Sequence, residues 1–209
     1  GLIKNGTLSV GGYTNITIQN LGILVTGATT LAAYDGWLCS RYFGKGMSTG
    51  SISILSCYST GNISGIESGG IMGSYLGSNA SGGSITIQNC YSTGTIGGAA
   101  GGIMGSYAKN AATGGTLVVQ SCYSTGTIAT SGGGIMGQYA GYGTSNGSIA
   151  VQNCYSTGTL GGGAGGIVGR AAGLTATGGT IVASNCYVPT STIYGADANA
   201  NTSQTNCNA

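Results

Sequence analysis

Seven cysteines are the residues of this 209-residue chain best suited to chemistry, and the chain contains no histidine. A nucleophilic thiol needs a base that raises its thiolate content, and a zinc site needs clustered Cys or His ligands. There is no Cys-x-x-Cys pair, and no carboxylate lies close in sequence to a cysteine of the repeated series. We therefore expect inert thiols, no metal and no cofactor. Five of the cysteines recur at near-constant spacing along the chain: Cys57, Cys90, Cys122, Cys154 and Cys186.

The three acidic residues are also poorly placed for catalysis. Asp35, Glu67 and Asp197 occupy non-equivalent positions, so they do not supply the carboxylate pair of a glycoside hydrolase. We expect them to be solvated turn residues. Residues 161–166 match G-x-G-x-x-G, but no helical pattern and no acidic residue follow at the spacing of a dinucleotide site. The sequence predicts that the chain is not an enzyme.

Charge and hydrophobicity narrow the class of protein. Five basic and three acidic residues give a net charge of +2, whereas 41% of the residues are hydrophobic. This is apolar enough for an ordered chain. Without a basic cluster, no nucleic-acid partner is expected. The longest apolar stretch, residues 21–38, is interrupted by Gly, Thr and Asp35, so no membrane span is expected.

A repeat of about 32 residues organises the chain. Apolar pairs such as Ile71-Met72 recur, each at the same distance before the next repeated Cys. One extra residue lies within 61–70 in the first copy, and because insertions are tolerated in surface turns, this stretch is expected to be a surface corner. Alternating runs such as Ile85-Thr86-Ile87 are typical of strands. A bend at Asn89-Cys90 would place Cys90, Ser92, Gly94 and Ile96 inside and Tyr91, Thr93 and Thr95 outside.

These patterns predict an all-β fold, a right-handed parallel β-solenoid of five to six coils with three strands per coil. Coils stacked about 4.8 Å apart let each strand bond to its copies above and below. Regular coils span residues 50–188, between degenerate coils at 1–49 and a tail or cap at 189–209. Leu21 stands where a Cys is expected and Cys39 where a Gly is expected. Residues 1–49 are thus either a degenerate first coil or a segment exchanged with a neighbour.

The motif Gly-Gly-Ile-Met-Gly, then Asn-Cys-Tyr-Ser-Thr-Gly-Thr-Ile, resembles the GLUG-type repeat of bacterial surface and secreted proteins. The resemblance covers residues 50–187, with a weaker copy at 16–26 and 36–42. It implies a β-rich, adhesin-like or cell-surface scaffold and assigns no catalytic residue. A chain that opens at Gly1 is consistent with removal of a secretory leader or with numbering alone. We expect an extracellular or cell-surface location.

In a solenoid the repeated cysteines form a column. Neighbours about 4.8 Å apart fall within disulfide range, yet parallel side chains strain the S–S torsion. Buried free thiols are therefore expected, with disulfides left open as the alternative. Cys207 is expected to fold back on Cys186 or Cys39.

Two sets of side chains are predicted to repeat on the outer face. The first is a tyrosine ladder of Tyr58, Tyr91, Tyr123, Tyr155 and Tyr187. The second is a series of Thr-x-Thr rungs, which place hydroxyls about 7 Å apart along a strand: Thr93 and Thr95, Thr125 and Thr127, Thr157 and Thr159.

Self-assembly is the function that these features favour. The chain has few charges and apolar strand patterns at Leu2-Ile3 and Leu8-Ser9-Val10, and Met72, Met104 and Met136 are expected to point outward. We expect a structural subunit of an extracellular filament, fibre or sheath that stacks head-to-tail on itself. The alternatives are an ice-binding protein that uses the Thr rungs and a cell-surface adhesin module that binds glycans.

Overall fold

The fold is an all-β solenoid. The computed structural model describes residues 1–190 and 192–208, and within these residues every named element is a strand. A long sheet contains seven strands: β1 (Ile16–Gln19), β3 (Ser51–Leu55), β5 (Ser84–Gln88), β7 (Thr116–Gln120), β9 (Ser148–Gln152), β11 (Thr180–Ser184) and β12 (Thr202–Thr205). A second sheet contains five: β2 (Gly22–Ile23), β4 (Tyr58–Ser59), β6 (Tyr91–Ser92), β8 (Tyr123–Ser124) and β10 (Tyr155–Ser156). In the described part of the chain, no helix has the length and apolar character needed to cross a membrane.

Every strand pair is parallel and joins equivalent positions of successive repeats. Ile85 lies opposite Ile52 and Leu117, and Tyr91 lies opposite Tyr58 and Tyr123. This register confirms the predicted parallel solenoid, with five full coils. A shorter sixth coil follows, in which Ile181 pairs with Thr202. The third side of each coil is held by single β-bridges, such as Met72–Met104, and not by a named strand.

The N-terminal residues form the first coil of the stack. Gly22 pairs with Tyr58, which places Leu21 over Cys57 as predicted. Cys39, however, bridges to Met72, so the expectation that it stands at a Gly position is wrong. The step along the chain from Gly22 to Tyr58 is longer than the step from Cys39 to Met72. The extra residues of the first coil therefore lie in the corner between Gly22 and Cys39.

The core is a file of aliphatic side chains enclosed by the coils. Ile85, Ile87, Leu117 and Val119 are buried, while the residues between them are partly exposed, as the alternation predicts. Asn89 has a φ of 55°, and this left-handed turn makes the bend that brings the following Cys inward.

The methionines point into the core and not outward. Met72, Met104 and Met136 are fully buried, which corrects the expectation of an outward, sticky methionine surface. The reason is local: the N–H groups of both Ile103 and Met104 donate to the carbonyl oxygen of Ile135. The backbone turns at this pair, so two consecutive apolar side chains enter the core although a flat strand would separate them.

Candidate functional site

A column of six thiols runs through the core. The five repeated cysteines, Cys57 to Cys186, are buried and unpaired. Cys207 continues the column, because its neighbour Asn208 bridges to Tyr187 just as Tyr187 bridges to Tyr155. Cys207 therefore lies against Cys186, one of the two cysteines on which it was expected to fold back, and not against Cys39. The signal that could have placed it is the Asn-Cys pair, which recurs at residues 89–90, 153–154, 185–186 and 206–207.

Each thiol of the column lies in a repeated polar environment. The N–H of Cys57 donates to Cys90 Sγ at 3.4 Å, and the same distance recurs from Cys90 to Cys122 and from Cys122 to Cys154. Each sulfur also contacts the carbonyl oxygen two residues before it, for example Gln88 O at 3.3 Å from Cys90 Sγ. Hydrogen bonds with Cys154 and Cys90, followed by burial, raise the pKa of the Cys122 thiol, so it stays protonated at neutral pH.

The predicted tyrosine ladder is present as a stack of four rings. Ring centroids of successive tyrosines from Tyr58 to Tyr155 lie 4.8 to 5.0 Å apart, with interplanar angles of 1° to 4°. Tyr187 continues the column through its backbone bridge to Tyr155 and is 48% exposed. Tyr155 and Tyr187 are exposed, whereas Tyr58, Tyr91 and Tyr123 are half-buried.

The threonine rungs lie beside this ladder and face solvent. Two outer columns of three threonines each are exposed. The first contains Thr93, Thr125 and Thr157, and the second contains Thr95, Thr127 and Thr159. Their backbones are tied into the stack: Thr125 N–H donates to Ser92 O at 3.2 Å, and Thr127 O accepts from Ile96 at 2.8 Å. The side chains are free to contact water while their spacing is fixed by the coils.

A second tyrosine stack was missed by the sequence analysis. Tyr42, Tyr75, Tyr107 and Tyr139 stack with centroids 4.9 Å apart. All four have positive φ, between 55° and 63°, so they sit in turns and not on a strand. The sequence signal was present, since Tyr75, Tyr107 and Tyr139 each follow a core methionine by three residues.

Glu67 lies against this second stack. Its Oε1 accepts a hydrogen bond from Gln138 Nε2 at 3.3 Å, and burial raises the pKa of its carboxyl group. Burial, followed by the charge of Glu67, raises the pKa of Tyr107 to about 12. The expectation that Glu67 is a solvated turn residue is therefore wrong in part, because the turn is present but the carboxylate is half-buried. Asp197 does face solvent, where it pairs with Arg170 at 2.6 Å.

The two edges of the stack differ in polarity. At the β1 edge the side chains of Leu2, Leu8, Val10, Tyr13, Leu21 and Leu24 are exposed. A cleft of about 410 Å³ opens nearby, lined by Lys4, Asp35, Arg41 and Tyr42 among others. At the other edge β12 is polar, and Tyr194 packs against the core. Its hydroxyl donates to Ser203 O at 2.6 Å and accepts from Ala183 N–H at 3.0 Å.

No family model matches this chain, and no curated protein or solved structure matches it either. The resemblance to the GLUG-type repeat therefore stays a prediction.

Proposed function

We propose that the chain is a structural subunit that assembles head-to-tail into an extracellular filament, fibre or sheath. The observation that carries the proposal is the apolar surface at the β1 edge. Of the ten large hydrophobic side chains exposed within residues 1–190 and 192–208, six fall between Leu2 and Leu24. Exposed apolar patches of this kind mark contact surfaces between proteins.

The backbone supports the same occupant, a second copy of this chain. β1 and β12 are the edge strands of the long sheet, and each is four residues long. Each presents one row of unpaired N–H and C=O groups, which is a template for another strand. If β12 of one copy pairs in parallel with β1 of the next, the columns of the solenoid continue. Such a contact does not close on itself, so it propagates as a filament.

The test compares two exposed aliphatic residues. Leu24 is 70% exposed at the β1 edge, and Ile66 is 56% exposed in the second coil, whose backbone is already bonded to the first coil. In negative-stain microscopy and sedimentation velocity, the wild-type chain should form rods longer than the roughly 30 Å of one stack, at about 4.8 Å per layer. Leu24→Lys should yield single short rods, whereas Ile66→Lys should assemble like the wild type.

Three results would contradict the proposal. These are a monodisperse wild-type monomer at high concentration, a closed dimer that grows no further, and equal loss of assembly in Leu24→Lys and Ile66→Lys. The last result would indicate lateral sticking of apolar side chains in place of edge-to-edge stacking.

Ice binding is a second candidate, favoured by the six exposed threonines. Two columns of three hydroxyl-bearing side chains on one face, with coil spacing along the columns, form a regular array. A bulky tyrosine lies two residues before each rung, and the first copy has Asn62 in place of the second threonine. For this reason we place ice binding after assembly.

Glycan binding is the third candidate. The second tyrosine stack is better suited to it than the first tyrosine stack. Aromatic faces suit sugar rings, and here Glu67 and Gln138 lie beside Tyr107 to accept and donate hydrogen bonds. A glycan array probed with the wild-type chain and with Glu67→Ala would test it. Binding that is unchanged in the variant would remove this site.

A further inference from the structure

The cleft at the β1 edge results from a difference in length between two neighbouring coils. The N–H of Ser40 donates to the carbonyl oxygen of Ile3 at 2.8 Å. The N–H of Gly44, four residues further on, donates to Asn5, which is only two residues beyond Ile3. The edge segment therefore crosses this stretch with two residues fewer and has none in register with residues 41–42. The cleft of about 410 Å³ opens over these two positions.

The charge at this cleft is mostly positive. Three of the five basic residues of the chain lie here. Lys4 and Arg41 line the cleft, and Lys45 Nζ lies 5.7 Å from the ring centroid of Tyr42. The lining also includes Asp35, whose Oδ1 accepts a hydrogen bond from the backbone N–H of Arg41 at 3.1 Å. The surplus of positive charge makes the cleft suitable for an anion.

Arg41 is held in position while its donors stay available. Its guanidinium carbon lies 5.9 Å from the ring centroid of Tyr34, in a cation–π contact. In the described part of the chain, the guanidinium donates no hydrogen bond and forms no ion pair. The planar fork of N–H donors in a guanidinium matches the two oxygens of a carboxylate. A carboxylate is therefore the anion that this cleft suits best.

The opposite edge of the stack presents a carboxylate in the matching column. The N–H of Tyr139 donates to the carbonyl oxygen of Arg170 at 2.9 Å. One coil later, the N–H of Ala171 donates to that of Ala196 at 2.7 Å. In each coil the residue after the acceptor is the next member of the column, so Asp197 continues the second tyrosine stack. Its side chain is 57% exposed.

We infer that the carboxylate of Asp197 in one copy enters the cleft of the next copy and pairs there with Arg41. The inference rests on the proposed head-to-tail stacking and adds a contact that fixes its register and direction. When β12 of one copy pairs with β1 of the next, the columns continue across the junction. Because the edge segment lacks two residues, Asp197 then lies two layers from Tyr42, about 10 Å away, with the cleft between them. An aspartate and an arginine side chain together span this gap.

The contact does not require Asp197 to leave its partner within the same copy. Arg170 Nε and Nη2 both bind Oδ2 of Asp197, at 2.8 and 2.6 Å. Oδ1 is left for the guanidinium of the next copy, since an ionised carboxylate accepts several hydrogen bonds. The pair lies at the rim of the junction, where charges contribute to specificity more than to affinity. The apolar residues of the β1 edge remain the main source of binding energy.

The experiment exchanges the two charges across the junction. Asp197→Arg and Arg41→Asp each place like charges on the two sides of every junction. Like charges at an interface cost several kcal/mol, so each variant alone should need at least about a tenfold higher concentration than the wild type to form rods. In an equimolar mixture, alternating copies have opposite charges at every junction. The mixture should form rods at the concentration of the wild type, measured by sedimentation velocity and negative-stain microscopy.

A milder pair of variants keeps the test independent of charge reversal. Asp197→Asn removes one carboxylate at the edge, and Glu67→Gln removes one from the second coil. Asp197→Asn should raise the concentration needed for assembly roughly two- to fivefold at low ionic strength. This difference should vanish at high salt, because exposed charges are screened. Glu67→Gln should assemble like the wild type at both ionic strengths.

The outcomes separate this contact from the proposed function. If the wild type assembles and every variant assembles at the same concentration, the ion pair is overturned and stacking through the apolar edge stands without it. A mixture that forms no more rods than its components also overturns the ion pair. A wild type that stays monomeric contradicts the proposed function itself, and the contact between copies falls with it.

Discussion

The inner and outer faces of the repeated Cys-Tyr-Ser-Thr-Gly-Thr segment differ in the physical reason for their repetition. Its inner positions, such as Cys122, Ser124 and Gly126, are buried, and close packing explains why each coil repeats them. Its outer positions, Tyr123, Thr125 and Thr127, also repeat although no core constrains them, except that the first copy has Asn62 in place of the second threonine. Stacking explains the tyrosine, since its ring lies 4.9 Å from Tyr91. The exposed threonines have no such contact, which identifies them as the part of the repeat that packing does not explain.

The largest expected effect is on the inner side, at Gly126. A Cβ built on this residue would lie 1.9 Å from the carbonyl oxygen of Gly94 in the coil below. The backbones must therefore separate to admit a methyl group, at a cost of about 3 kcal/mol or more. Gly126→Ala should lower the thermal midpoint strongly in a circular-dichroism melt.

Gly162 supplies the matched control for this substitution. It lies in the same repeat region, and a Cβ there would meet no atom within 4 Å. Gly162→Ala should change the stability by no more than about 0.5 kcal/mol. Equal effects of the two substitutions would show that the close contact between coils does not limit the repeat.

Lys109 is a charged residue among the neutral side chains that are buried on the inner side. Its side chain is 1% exposed, its Nζ donates to Gly114 O, and burial lowers the pKa of its ammonium group from 10.5 to about 8. Below pH 8 the folded and unfolded chains are both protonated, so the folded state carries the full cost of the buried charge. Between pH 8 and 10.5 the unfolded state binds more protons, and stability should rise with pH, by at most about 1.4 kcal/mol per unit.

Lys109→Met removes the charge and keeps most of the side-chain volume. The variant should be more stable than the wild type at pH 7, and the difference should shrink as the pH rises from 8 to 10.5. Chemical denaturation of both proteins across this range measures it, and the comparison cancels the titration of tyrosines common to both. A difference in stability that is constant with pH would contradict the assignment.

The sequence is sufficient to predict the columns of stacked side chains wherever the spacing of the repeat is regular. Because Cys90, Cys122 and Cys154 are evenly spaced along the chain, parallel stacking places them in register without further information. The sequence is insufficient to predict the direction of side chains where the backbone leaves the strand conformation. Tyr107 sits at a positive φ of 59°, and Ile103 and Met104 share one acceptor, so period-two alternation does not apply to either site. For Cys207 the sequence left Cys186 and Cys39 open as neighbours, because the last coil is shorter than the others and the spacing of the repeat no longer locates the next rung.

The smallest expected effect on stability lies on the outer side, and it decides whether the threonine columns have a function. Thr127 is exposed at the middle rung, and Thr116, the first residue of β7, is an exposed threonine on another side of the coil. Thr127→Ala and Thr116→Ala should each change the stability by no more than about 0.5 kcal/mol. If the columns bind ice, the wild type shows thermal hysteresis, which Thr127→Ala reduces and Thr116→Ala does not. No hysteresis in the wild type at millimolar concentration would remove ice binding, and the repetition of these threonines would then need another explanation, such as contact between assembled copies.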